Sequence, residues 1–253
     1  MTLRYLFLII CLTINYNFIS AQEITPNKPF YFGGGTTITN NGISLLPNFT
    51  LGKPAAIFDM SAGNDRLKFE PQLRFSLEGK PWTFVFWWRY KILKDKKIKL
   101  SVGAHPALVF REEKFIVNGI EKEYLTSRRF LASEVFPNYA FTKNINLGIY
   151  YLYSHGIEND VTQNTHFIAL NSTISNIKIY KKIQLKFQPQ VFYLKMDNKD
   201  GFYSSATFNL ERKGFPLVIN SIVNKKIEST IAGKDFIWNI GLVYSFSKKY
   251  TKT

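Results

Sequence analysis

From Lys68 to Glu78 the chain keeps a strict two-residue period, with Phe69, Pro71, Leu73, Phe75 and Leu77 alternating with Lys68, Glu70, Gln72, Arg74 and Ser76. After Glu78-Gly79-Lys80-Pro81 the period resumes: Trp82, Phe84, Phe86, Trp88 and Tyr90 are interleaved with Thr83, Val85, Trp87, Arg89 and Lys91. Alternation of this kind places successive side chains on opposite faces of a β-strand, so the stretch from Arg66 to Leu93 predicts a hairpin. Its aromatic face is too long and too bulky to be left in water. Hydrocarbon fits that face better than solvent does, with the charged face turned inward.

The same period recurs along the rest of the chain. Pro29 to Thr39 and Gly42 to Leu51 read as a first pair of strands joined by Asn40-Asn41, and Gly52 to Asp65 reads as a loop. Lys97 to Arg111 places Ile98, Leu100, Val102, Ala104, Leu108 and Phe110 on one face and Lys99, Ser101, His105 and Arg111 on the other. Glu112 to Thr126 reads as a polar loop. Strands follow at Ser127–Phe141, Ile145–His155, Thr165–Ile177, Ile183–Lys195, Phe202–Leu210, Phe215–Asn224 and, after Lys225 to Lys234, Phe236–Phe246. The expectation is an all-β, transmembrane antiparallel β-barrel of about twelve strands, with short turns at one end and longer loops at the other. Pro71, Pro106, Pro137 and Pro189 fall inside these strands, where each removes a ladder hydrogen bond.

Composition narrows the class. The 253 residues suit one domain. Phe (23) and Tyr (14) are abundant, yet mean hydropathy is only −0.11, so the aromatics are interspersed with polar residues and a bundle of membrane-spanning helices is excluded. The continuous apolar run Leu6–Leu12 follows Arg4, precedes Ser20-Ala21-Gln22 and is too short to span a bilayer as a helix. It has the order of a secretory signal, which places cleavage after Ala21, a signal peptide at 1–21 and a single barrel domain at 22–253. The only cysteine, Cys11, lies in that leader; Leu8-Ile9-Ile10 before it lacks the small residues of a lipoprotein signal. The mature chain then has neither disulfide nor thiol chemistry.

A formal charge of +15 raises the question of nucleic acid, but the charges are sorted by position. With both termini at one end, alternate connections share a side. Glu112, Glu113, Glu121, Glu123, Glu158, Asp160, Asp197, Asp200 and Glu228 fall in the set with the longer loops, whereas Lys94, Lys96, Lys143, Lys181, Lys182, Arg212 and Lys213 fall at the shorter turns. Short turns face the periplasm in outer-membrane barrels. The positive excess therefore belongs to the periplasmic rim and the lumen, and nucleic acid is not needed to explain it.

The Ala-Gln leader end, the Lys-rich short turns, the strands Phe69-Glu70-Pro71-Gln72-Leu73 and Phe187-Gln188-Pro189-Gln190-Val191, and the terminal Val243-Tyr244-Ser245-Phe246 resemble the outer-membrane β-barrels of Bacteroidota. The resemblance covers nearly all of the mature chain and rests on strand style. It implies an outer-membrane location, contact with membrane lipid and lipopolysaccharide, and insertion by the barrel-assembly machinery, which reads a closing strand ending in an aromatic.

Register assigns the lumen to Lys68, Glu70, Gln72, Arg74, Arg89, Lys91, His105, Arg128, Glu134 and Gln188, and the lipid face to Trp82, Phe84, Phe86, Trp88, Tyr90, Trp238, Tyr244 and Phe246. The inward charges either pair into a plug or line a narrow, basic-biased path that favours small anionic solutes. The functional expectation is a porin-like channel or a structural surface protein. The alternatives are a membrane-embedded lipid hydrolase and a subunit of an envelope complex. Ser154, His155 and His166 are the candidates for hydrolysis, but Ser154 has the opposite parity to the histidines and no acid is placed to orient them, so belt residues are the simpler identity and no catalytic residue is assigned. Three scattered histidines make no metal set, and no cofactor is implied.

Overall fold

The computed structural model describes residues 29–44 and 49–251; the expected leader, with Cys11, lies outside the described residues. Twelve strands run in order: β1 (Phe30–Thr39), β2 (Ala55–Gly63), β3 (Leu67–Ser76), β4 (Pro81–Lys94), β5 (Ile98–Val117), β6 (Ile120–Ala140), β7 (Ile145–Gly156), β8 (Asn164–Tyr180), β9 (Ile183–Met196), β10 (Lys199–Arg212), β11 (Leu217–Ser229) and β12 (Phe236–Tyr250). Each pairs antiparallel with its sequence neighbours, and β12 returns to β1 to close a barrel. Closure gives the wall strands partners on both sides. Phe30 lies opposite Tyr250, so the chain enters and leaves at one end. We call this the terminal end, and the opposite one the loop end.

Two segments depart from the alternation read in the sequence. Gly42–Leu51 forms no strand among its described residues: it is the loop over the barrel mouth, closed by hydrogen bonds from the Gly42 N–H to the Lys53 carbonyl and from the Leu51 N–H to the Gly42 carbonyl, both 2.9 Å. The second strand is β2, in the stretch read as a loop. Of its inward residues Ala55, Ile57, Asp59 and Ser61 only Asp59 is charged, and the outward face mixes the small Ala56 and Ala62 with Phe58 and Met60, so its two faces contrast too weakly to show a period. Glu112–Thr126 is likewise no loop. It prolongs β5 and β6 as a two-stranded ribbon turning at Asn118 (φ 54°) and Gly119 (φ 76°), the paired positive φ values of a tight hairpin turn. β4 pairs with β5 no further than Val109, and β7 with β6 no further than Phe130, so the ribbon projects past the rim. Beyond the closed wall it has no lumen to separate its two faces, and its apolar and charged positions mix.

The four strand prolines follow one rule. Each keeps a register partner on one neighbour, Pro71 with Phe86, Pro106 with Leu131, Pro137 with Leu100 and Pro189 with Ala206. On the other neighbour the ladder is interrupted at the proline: β2–β3 between Asp59/Gln72 and Ala62/Phe69, β4–β5 between Val85/Ala107 and Trp88/Ala104, β6–β7 between Val135/Tyr151 and Asn138/Gly148, and β8–β9 between Asn171/Gln190 and Ile174/Phe187. A residue lacking an N–H thus costs pairing on one side only.

Outside, Trp88, Tyr90, Trp238, Ile240, Leu242, Tyr244 and Phe246 are exposed. Phe84 packs between Phe75 and Phe110 at ring-centroid distances of 5.2 and 5.0 Å, and Phe69 meets Trp88 at 4.7 Å. Trp82 corrects the sequence assignment. Arg74 opposes Thr83 and Phe75 opposes Pro81, which makes Trp82 the extra residue of a bulge. Its ring turns away from the outer face and is 3% exposed, its Nε1 donates to the Phe49 carbonyl at 2.9 Å, and the Arg74 guanidinium lies 5.5 Å from its centroid.

Candidate functional site

The barrel interior is built in layers. At mid-height Arg89 of β4 donates from Nε to Glu134 Oε1 (2.6 Å) and from Nη1 to Glu70 Oε2 (2.8 Å), joining β3, β4 and β6. Tyr150 of β7 donates its hydroxyl to Glu134 Oε2 at 2.6 Å, and Ser61 of β2 donates to Glu70 at 3.1 Å. Arg89 reaches Glu134 across the intervening β5 because Gly103 stands between them. A Cβ there would lie 2.9 Å from Glu134 Oε1 and 3.1 Å from Arg89 Cγ. The guanidinium also covers Trp87, 4.2 Å from its ring, and Trp87 meets His105 edge-on at 4.0 Å.

Toward the loop end the lumen is filled by apolar side chains. Val85, Trp87, Ala107, Val109, Phe130, Leu152, Phe167, Ala169, Phe192, Leu194, Met196, Tyr203 and Ile231 form one buried cluster. Its centre is an aromatic file across four strands: Tyr150 to Phe167 at 5.9 Å, Phe167 to Phe192 at 4.9 Å, Phe192 to Tyr203 at 5.0 Å. Phe167, Ala169 and Leu194 are 0% exposed. Against the remaining strands the filling is small and equally buried, with Thr39, Ala55, Ser76, Asn224 and Asn239.

This layer separates two cavities that share no lining residue. One, of about 800 Å³, lies on the terminal side. Arg89, Lys91, Lys94 and Lys99 line one of its walls, and the facing wall carries Asn146, Asn171, Thr173, Gln188, Gln190, Ser205 and Thr207. The other, of about 700 Å³, lies at the loop end among Arg111, Glu113, Arg128, Asp160 and Lys199 over Phe130 and Met196.

The residues assigned to the lumen by register fall into separate groups. Glu70, Arg89 and Glu134 meet in the mid-height node. Lys68 lies opposite Arg89 in the ladder, and Lys91 lines the larger cavity. Gln72 accepts from Arg74 Nη2 at 3.1 Å, and His105 is buried against Trp87. Gln188 donates to Thr173 (3.5 Å) and accepts from Asn209 (3.4 Å), which itself accepts from Asn220 (2.8 Å). Arg128 is remote from all of these, at the mouth, where Nη2 contacts Asp160 at 2.7 Å and Glu113 at 3.3 Å. Tyr150, Gly103 and the aromatic file lie outside the set that register assigns to the lumen. Carrying the parity of Gln188 and Gln190 forward along β9 reaches Phe192, Leu194 and Met196, which was the available signal.

The hydrolytic candidates do not assemble. His166 shares the outer face with Tyr151, whose hydroxyl is 3.0 Å from its Nδ1, whereas Ser154 alternates to the inner face beside Ala132 and Thr165. The sheet itself stands between nucleophile and imidazole. Among the described residues no three His, Cys, Asp or Glu side chains converge as metal ligands.

One loop contact responds to acid. Glu158 accepts from Arg129 Nε at 2.7 Å and from the Arg129 N–H at 2.9 Å, and these bonds hold its carboxyl below the usual carboxylate range. A carboxyl depressed in the folded state stabilises it above its unfolded pKa, and the contribution is lost as pH falls through the folded value. Arg129→Ala should move the Glu158 titration back up toward the ordinary value, read by side-chain carboxyl NMR. An unmoved titration would remove Arg129 as the cause.

No family model and no curated protein match the chain. Its fold has solved counterparts. The KdgM porin superposes with a TM-score of 0.54 at 8% identity over 85% of this chain and 99% of that one. A KdgM porin in complex with disordered oligogalacturonate gives 0.53 at the same identity and coverage. The NanC porin gives 0.47 at 13% identity over 88% of this chain and 100% of that one. At this identity the KdgM likeness shows the fold, a closed barrel of the outer-membrane kind.

Proposed function

We propose that this chain is an outer-membrane barrel whose lumen is a narrow, gated channel biased toward anions. The membrane placement rests on the outer wall. Along β9 the outward residues Tyr193, Val191, Pro189, Phe187, Leu185 and Ile183 form an unbroken apolar file. Ten residue steps of roughly 3.3 Å, inclined at roughly 40°, span roughly 25 Å, the height of the apolar band of such barrels. The Lys-rich short turns then face the periplasm and the loop end faces outward. The Bacteroidota-like strand style belongs to the same reading, as does delivery by the barrel-assembly machinery.

The observation that carries the channel reading is the pair of cavities, each lined by charged side chains, at opposite ends of the lumen with the buried apolar cluster between them. A layer of this kind opposes ion passage by excluding water, and it conducts when its side chains part. In the periplasmic cavity Arg89 is paired with Glu70 and Glu134 and Lys94 with Asp65, which leaves Lys91 and Lys99 without an ion-pair partner among the described residues; this basic excess favours small anionic solutes. A structural surface barrel is the second reading, favoured by the same closed layer if it never opens.

Planar-bilayer recording under a salt gradient separates the two. The expected result is brief conductance steps with an anion-selective reversal potential, and Lys91→Glu with Lys99→Glu should move that potential toward cation selectivity. Silence at every voltage, in this protein, in a variant with the apolar layer thinned and in one that also carries Glu134→Gln, would leave the structural reading standing.

A further inference from the structure

Immediately above the apolar band, on the outer face, the sheet register lines up a polar row. Ser133 of β6 lies opposite Tyr153 of β7, Tyr153 opposite His166 of β8, and His166 opposite Lys195 of β9. One step toward the terminal end the band begins with Val135, Tyr151, Ile168 and Tyr193, in register with each other. One step toward the loop end, His155 stands between Leu131 and Asn164. Two of the chain's three histidines therefore share this patch with an exposed lysine.

The side chains are held rather than loose. The His166 ring lies between those of Tyr151 and Tyr153, at centroid distances of 6.3 and 5.2 Å, and its Nδ1 meets the Tyr151 hydroxyl at 3.0 Å. When Nδ1 accepts that proton, Nε2 carries the ring's own N–H and directs it away from Tyr151. Tyr153 donates to Asn164 Oδ1 at 2.8 Å. Asp200 lies opposite Lys195 in the ladder, but its carboxylate accepts from Tyr193 at 2.8 Å, and Lys195 enters no ion pair among the described residues. A lysine ammonium and an imidazole N–H on neighbouring strands, with Cβ atoms roughly 5 Å apart, match the width of one phosphate group.

The geometry points to a lipid-phosphate seat on the outer wall: Lys195 and His166 hold the phosphate of a phosphorylated glycolipid of the outer leaflet. The acyl chains of that lipid run down the exposed Ile168, Leu170 and Val191. The seat rests on the membrane orientation proposed above, because it requires this row to lie at headgroup height on the outer side. It assigns to His166 a binding role, in keeping with Ser154 lying on the opposite face of the sheet.

The test uses the full barrel reconstituted in phosphatidylcholine nanodiscs doped with a bisphosphorylated glycolipid, with retained lipid counted by native mass spectrometry. The wild-type protein should retain the bisphosphorylated form and not its dephosphorylated counterpart. Lys195→Gln with His166→Gln should weaken retention about tenfold, and Lys195→Arg alone should preserve it. Equal retention by the double variant, or of the dephosphorylated lipid, overturns the seat while leaving the membrane reading intact, since the protein is still embedded. Displacement by inorganic phosphate at the same concentration overturns the lipid assignment in favour of a free-anion site. Failure of the wild type to embed in any nanodisc overturns both.

Discussion

Replacing Glu134 with alanine is expected to destabilise the barrel by about 3 kcal/mol, the low end of the range for breaking a buried ion pair. Glu134 is the hub of the mid-height node: its side chain is 3% exposed, and it accepts from Arg89 and Tyr150. Removing it leaves a guanidinium and a phenol without that acceptor in a confined space. The loss stays at the low end because Arg89 keeps Glu70 and is 29% exposed toward the larger cavity, where water screens it. Urea unfolding in detergent, followed by tryptophan fluorescence, measures the loss. The paired change Arg89→Met with Glu134→Leu should recover most of it, because no charge is then left alone. If Glu134→Ala proves neutral, or the double variant as damaged as the single, the node is not a buried charge network.

Gly103 follows from the same node. Its missing Cβ is what lets Arg89 cross β5, and no motif marks that glycine in the sequence, where it stands as one small residue in an alternating strand. Legibility of this chain depends on contrast between the two faces of each strand. The β3–β4 hairpin and β12 are readable because rings alternate with charges or small polar residues. Over Phe167–Leu170 of β8 and Val191–Leu194 of β9 both faces are apolar, so the period fades although the parity persists. β2 fades for a related reason, since Ala55 and Ile57 face inward and leave Asp59 as the only inward charge of the strand. The closed fold and the facing of most charged residues were therefore within reach of periodicity. The apolar filling was not, because a lumen expected to be plugged by paired charges or to hold a narrow polar path gives no reason to look for Phe167 or Leu194 within it. Trp82 was misplaced because a bulge shifts parity by one residue, and bulges leave no composition signal.

Phe167→Ala together with Phe192→Ala is expected to turn a mostly silent barrel into one with sustained conductance, raising mean current roughly tenfold or more by removing a dewetted constriction. These two rings are the centre of the aromatic file, 4.9 Å apart, and Phe167 is fully buried. Each truncation in a closed core costs about 3–5 kcal/mol through lost burial and the cavity left behind. Here the space opened lies between the two polar cavities, so water can enter from either side and relieve part of that cost. Stability should therefore fall by less than the sum of two core truncations, while conductance rises. The converse substitution, Ala169→Leu, thickens the layer at a position that is 0% exposed and should reduce whatever openings the wild type shows. The two measurements constrain each other. A double variant that loses the full core penalty and stays silent would mean that the layer is backed by a second barrier, with the Arg89–Glu134 node directly beneath it as the candidate. Adding Glu134→Gln to the silent double variant then tests that barrier, and conductance appearing only in the triple variant would place the gate at the ion pair instead of at the rings.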